Sequence, residues 1–397
     1  MTTLTDRRTM TRTALFIGIL LIAANLRAPV TGLPPILGFI RADLGLGTTA
    51  AGALTTLPLL AFALLSPFSA GFAREYGLER ALFGAMAIVA IGIALRSSGT
   101  AWALYVGTWV IGMGIAVGNV LLPSLVKRDF PHGIATVTGA FALAMGIVAA
   151  LASAVVAPLA AAWGWKSALL AFLVLPLAAL AVWLPQLAAR ARPAAGTATP
   201  PHGGAVWHSA LAWQVTLYLG LNSTIYYVAI GWLPTILADA GLSPAQAGSL
   251  HGVMQLASAV PGVLLAPVLR RMRDQRLAAA SVAALSGIAL IGIQAAPEYA
   301  FVWAMLFGLG AGAHFILGLA FIGLRTRHPQ ETASLSGMAQ SVGYVLAATG
   351  PMAMGFLHDV LGGWRVPLLL CAGLALAAAF IGMLAGRNLH VAGEAGA

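Results

Sequence analysis

Apolar runs of about twenty residues follow one another from Thr13 to Arg387, separated by short polar gaps. Such a run, coiled as a helix, spans the hydrocarbon core of a bilayer. Only 8% of the 397 residues are charged and 60% are hydrophobic, whereas soluble domains carry about 25% charged residues. An all-α integral membrane protein is therefore expected, with no hydrophilic stretch long enough for a separate soluble domain. Twelve spans are expected near 13–40, 48–73, 79–97, 101–126, 133–162, 166–188, 209–237, 245–270, 276–295, 299–324, 332–360 and 365–387. The longest polar interruption, 189–208, is rich in Pro, Gly and Ala and reads as a linker between an N-terminal bundle, 1–188, and a C-terminal bundle, 209–397.

Charge sets the orientation. Sixteen of the 21 basic residues, among them Arg7, Arg74, Arg128, Arg270 and Arg325, fall in gaps on one side of the expected spans, and Arg41, Arg96, Lys166 and Arg365 fall on the other. Cytoplasmic loops carry the excess of Lys and Arg, so both termini and the linker are expected in the cytoplasm of a bacterium, with the chain in its inner membrane. Clusters of that kind account for the net charge of +10 without a nucleic-acid partner. The single cysteine, Cys371, lies in an apolar run and offers neither a disulfide framework nor a thiolate metal site. The basic N-terminus runs into the first span without a small-residue cleavage site and reads as a cytoplasmic lead.

The halves repeat. "ADLGLGTTAAGAL" (42–54) and "ADAGLSPAQAGSL" (238–250) agree at seven of thirteen positions, at an offset of 196. "GWK" (164–166) answers "GWR" (363–365) at an offset of 199. Both members of each pair fall on the same expected side, so the repeat is parallel, six helices plus six.

Twelve spans in two parallel halves resemble the major facilitator superfamily. Within it, "NLRAPVTGLPPIL" in span 1, "REYGLERAL" (74–82) and "GNVLLPSLVKRDFP" (118–131) resemble the cyanate permease and 2-nitroimidazole transporter family. The resemblance implies alternating access, with spans 1, 4, 7 and 10 lining a central cavity. Two motifs depart from the superfamily pattern. Arg74 stands where an aspartate is usual before Gly77, so a charge latch there must use Glu75 or Glu79, and span 5 lacks the Gly-Pro pair of many drug/proton antiporters.

One basic residue, Arg27, is left inside a span, while all eleven acidic residues lie outside the spans or at their ends. Arginine at the centre of a span costs about 2.5–3.5 kcal/mol on insertion scales. Backbone carbonyls can offset that cost, and Pro29 frees the carbonyl of Asn25 to accept. A transported anion is the alternative partner, because the planar donor fork suits carboxylate-like or nitro-like oxygens. Asn25 and Arg27 are about 200° apart on a regular helix, and the cavity face is assigned to Arg27.

Polar side chains in other spans fall on single faces: Asn222 with Tyr226, His251 with Gln255, and Gln340 with Tyr344, each at i, i+4. His314 sits in span 10 between Gly310 and Gly318. Each can meet a substrate or bond a neighbouring helix. No zinc-type His pair, nucleophile elbow or phosphate loop stands in a suitable context, so an enzyme is not expected and no cofactor or metal is implied. The expected function is transport, by a monomer in the bilayer, of a small anionic or polarised organic solute at a site formed by Arg27, Asn222, Tyr226, His251, Gln255, His314, Gln340 and Tyr344. An exporter of amphipathic drugs is the alternative. Protons are a candidate coupling partner, through His314, His251 or the substrate itself.

Overall fold

A computed structural model describes residues 2–130, 134–189, 204–269, 272, 274–327 and 329–391. The core of the expected linker, 190–203, lies outside the described residues, as do Arg270, Arg271 and Arg273. All twelve expected spans are helices. We label them α1 (Thr2–Asn25, continued by Ala28–Thr31, Pro34–Ile36 and Leu37–Leu44), α2 (Thr48–Tyr76), α3 (Leu78–Arg96), α4 (Ala101–Asp129), α5 (134–163), α6 (165–189), α7 (Ala210–Asp239), α8 (Pro244–Leu269), α9 (Arg276–Ala295), α10 (Ala300–Leu324), α11 (Pro329–Leu361) and α12 (Arg365–Ala385). Helical hydrogen bonding runs on from α5 into α6, but Gly164, at φ 78 and ψ 157, turns the chain between them. Only glycine takes that conformation without a steric penalty.

The first span is broken. Pro29 has no N–H to offer Asn25, and its ring crowds that carbonyl; the helix ends at Asn25 and restarts at Ala28, with Arg27 as the N-cap of the short turn. Pro34 and Pro35 impose a second break, bridged by a 3₁₀ turn. Backbone carbonyls freed in hydrocarbon need donors, and other helices supply them. Arg96 Nη1 donates to the Pro29 carbonyl at 2.6 Å, and Ser153 Oγ donates to the Thr31 carbonyl at 3.0 Å.

Both halves carry the same devices. Trp165 Nε1 donates to Asp43 at 2.8 Å, and Trp364 Nε1 donates to Asp239 at 2.8 Å. The repeated "AD" and "GW" pairs are thus one hydrogen bond made twice. Gly45 and Gly241 both take positive φ in the turns that follow. At the opposite ends of the bundles Arg128 pairs with Glu79 at 2.6 Å, and Arg325 donates to Gln275 at 2.6 Å. The latch that lacks the usual aspartate therefore uses Glu79.

The halves meet along α2 against α11 and α5 against α8. At the end bearing the Asp43 and Asp239 loops the contact is backbone to backbone. A Cβ added at Gly248 would sit 2.5 Å from the Ser153 carbonyl oxygen, and one at Gly52 would sit 2.9 Å from that of Pro351. Asp359 closes the same end by accepting from Thr49 N and Oγ1 at 2.9 and 2.8 Å. At the other end of the same four helices, Gly71, Gly139 and Gly337 have no described atom within 4 Å of an added Cβ. Among the described residues, then, the halves are in backbone contact at one end, and no such contact is found at these glycines of the other.

Candidate functional site

Midway along the bundle, the break in α1 aims Arg27 across the division between the halves. Its Nη1 donates to the Tyr226 hydroxyl at 3.4 Å, and the guanidinium carbon stands 5.6 Å from the centre of that ring. Tyr226 in turn donates to Gln255 Oε1 at 2.7 Å and contacts Ser258 Oγ at 3.3 Å. A polar chain therefore runs from α1 through α7 to α8. The Tyr227 and Tyr344 hydroxyls lie within electrostatic range of the guanidinium. Tyr226 packs edge-on to Tyr227 at 5.8 Å, and Tyr344 packs edge-on to Phe62 at 5.8 Å.

Arg27 is half-buried, and the long contact to Tyr226 is its one side-chain hydrogen bond among the described residues. Most of its five donors are thus uncommitted within the protein. Among the described residues no backbone carbonyl accepts from its side chain; the Pro29 carbonyl at the same break is held by Arg96 instead. Asn25, two positions earlier, is fully buried and donates to the Leu21 carbonyl at 2.9 Å; the break between it and Arg27 removes the regular-helix spacing on which their opposite faces were expected.

On α8, Gln255 is 2% exposed; its oxygen accepts from Tyr226, and Nε2 has no partner among the described residues. One turn away, His251 Nδ1 meets Ser153 Oγ at 2.9 Å. Ser153 already donates to Thr31, so its oxygen accepts and the histidine proton belongs on Nδ1; Nε2 is left as a buried acceptor without a partner. Asn222 is buried and makes no side-chain hydrogen bond among the described residues, so the interhelical bond that would make it structural is not formed.

The other candidates stand apart. His314 is buried with Nε2 3.0 Å from the Tyr218 carbonyl, and its ring lies over Tyr218 at 3.9 Å. Gln340 is exposed and donates to Ser336 at 3.0 Å. Neither Ser153 and Ser258, whose hydroxyls are common in spans, nor Tyr227 is singled out by the sequence. Among the described residues no group of three or more His, Cys, Asp or Glu is placed to hold a metal.

A family model described as Major Facilitator Superfamily matches residues 15–348. The chain is 51% identical, over 96% of its length and 97% of the other, to the 2-nitroimidazole transporter of Escherichia coli (strain K12). It is 27% identical to the cyanate transport protein CynX of the same organism, over 90% and 94% of the two chains. Its fold is similar, with a TM-score of 0.73 at 15% identity over 95% of this chain and 97% of the other, to a bacterial homologue of the lysosomal transporter Spinster solved in an inward-facing, unoccupied conformation.

Proposed function

Because this multi-pass membrane transporter belongs to the Major Facilitator Superfamily, we propose that Arg27 is its substrate partner and that the substrate is a nitro-substituted azole or a small anion of similar charge distribution. The observation that carries this reading is a half-buried guanidinium at a proline-made helix break, between the two halves, with one 3.4 Å hydrogen bond.

A nitro group presents two oxygens in one plane, which a guanidinium meets with two parallel N–H donors. Tyr226, Tyr227 and Tyr344 offer faces and edges to a flat ring, while Gln255 Nε2 can donate and His251 Nε2 can accept at the ring nitrogens. Cyanate, a rod of three atoms, leaves those rings unused. The aromatic surroundings and the printed function of the 51% identical relative both favour the azole. Asn222 is a further donor on the α7 face.

Positive-inside logic puts the closed end outside and both termini in the cytoplasm, so the bundle 1–188 and the bundle 209–397, joined through 189–208, stand open to the cytoplasm. The substrate would neutralise Arg27 between the halves and let them rock. His251 also joins them, through Ser153, and is the group best placed to couple a proton.

Binding to purified protein decides the matter. With 2-nitroimidazole, small anions and neutral imidazole as titrants, wild type is expected to bind, Arg27→Ala to fold but lose at least tenfold in affinity, and Arg27→Lys to recover only part of it. Equal binding by wild type and Arg27→Ala would remove Arg27 from the site.

A further inference from the structure

Arg96 ends α3, where a basic residue commonly reaches for the membrane surface. Here it turns inward and is 1% exposed. Its backbone is wedged against α4: an added Cβ at Gly107 would collide with Arg96 N and Cα. The side chain is therefore fixed from its root. Nη1 is committed to the Pro29 carbonyl, and neither Nε nor Nη2 has a hydrogen-bond partner among the described residues. Among the described residues no carboxylate pairs with it.

A cavity lies beside it, lined by Thr55 of α2, Thr108 of α4, Tyr227 of α7 and the Pro29 turn. Its volume is about 10 Å³, room for roughly one water or one monatomic ion. A neutral water would satisfy a donor but not the charge, and one backbone carbonyl is a weak counterweight for a cation removed from solvent. Thr55 Oγ1 and Thr108 Oγ1 already donate to the Gly52 and Leu104 carbonyls at 2.9 and 2.7 Å, so among the polar lining residues the donors left uncommitted are the Tyr227 hydroxyl and Nε and Nη2 of Arg96.

We propose that Arg96 and this cavity form a second anion site, separate from Arg27, that takes a single small monovalent anion of halide size. The ion neutralises the guanidinium that holds the Pro29 carbonyl, and so steadies the α1 break from which Arg27 projects. This assignment is independent of the substrate read at Arg27.

The test is thermal unfolding of detergent-purified full-length protein in sodium chloride or bromide against sodium gluconate at equal ionic strength. A ligand that binds only the folded state raises Tm in a saturable way. Wild type and Arg27→Ala are expected to show that rise, and Arg96→Gln to lose it. Crystals of wild type grown in bromide are expected to give an anomalous peak within hydrogen-bonding distance of Arg96 Nε and Nη2, a readout that does not depend on the variant folding. No saturable halide response in wild type, a response that Arg96→Gln retains, or bromide bound only elsewhere would each overturn the proposal.

Discussion

Tyr226 accepts from the cation of one half and donates to Gln255 of its own, so its hydroxyl does two things at once. Tyr226→Phe keeps the ring and removes both bonds. A hydrogen bond to a charged group contributes roughly 1.5–3 kcal/mol, and calorimetry with 2-nitroimidazole is expected to show binding at least tenfold weaker, with Tm little changed because the residue is only half-buried. Arg27, Tyr226, Gln255 and His251 were legible in the sequence because a polar group within an apolar span has few reasons to be there. Arg96 was not: at the last position of a span it reads as an interfacial charge, and only the fold turns it inward. His314 had the same sequence signal as His251, yet it meets a backbone carbonyl and an aromatic ring, a difference that depends on which helix lies opposite.

Helix by helix, all twelve expected spans are helices, and the repeated pairs, read in the sequence only as a sign of two parallel halves, turn out to be the Asp–Trp bonds. The break after Asn25 was less legible, since Pro29 announces a distortion without saying whether the helix bends or stops. By length and apolarity alone, eight stretches of the described residues qualify as spans, and α7, α8 and α11 are not among them. Those three carry six of the eight candidate site residues, and each polar side chain lowers the hydropathy of its helix. Comparison of the halves also sets up an experiment. The first half joins α3 to α4 with Glu79 and Arg128, and the second joins the equivalent helices with Gln275 and Arg325. Glu79→Gln copies the second arrangement and is expected to leave Tm almost unchanged. Glu79→Ala, which leaves Arg128 with Asp129 alone, is expected to cost about 1–3 kcal/mol in thermal unfolding.

For the molecule as a whole, the glycines of α2, α5, α8 and α11 separate the closed end from the parted one. Sequence alone cannot tell which end is closed, because the same glycines serve both states of a rocking pair. The structure makes the question one of sterics. A side chain at Gly248 meets the Ser153 carbonyl at 2.5 Å, a backbone atom that cannot rotate away. Valine there can be accommodated only if α5 and α8 separate at that end. Overpacking costs about 1–3 kcal/mol, roughly ten- to a hundredfold in the equilibrium between closed and open forms. Because the clash exists only in the closed form, the whole cost falls on the conformational balance. Spin labels on cysteines at Ala42 and Ala238, both exposed and one in each half, with Cys371 replaced by alanine, would read the change. Gly248→Val is expected to move the distance distribution to longer values, and Gly337→Val, placed where no described atom lies within 4 Å, to leave it as in wild type. If the two variants behave alike, the backbone contact at Gly248 does not hold the end shut, and closure rests on the Asp359 bonds to Thr49 instead.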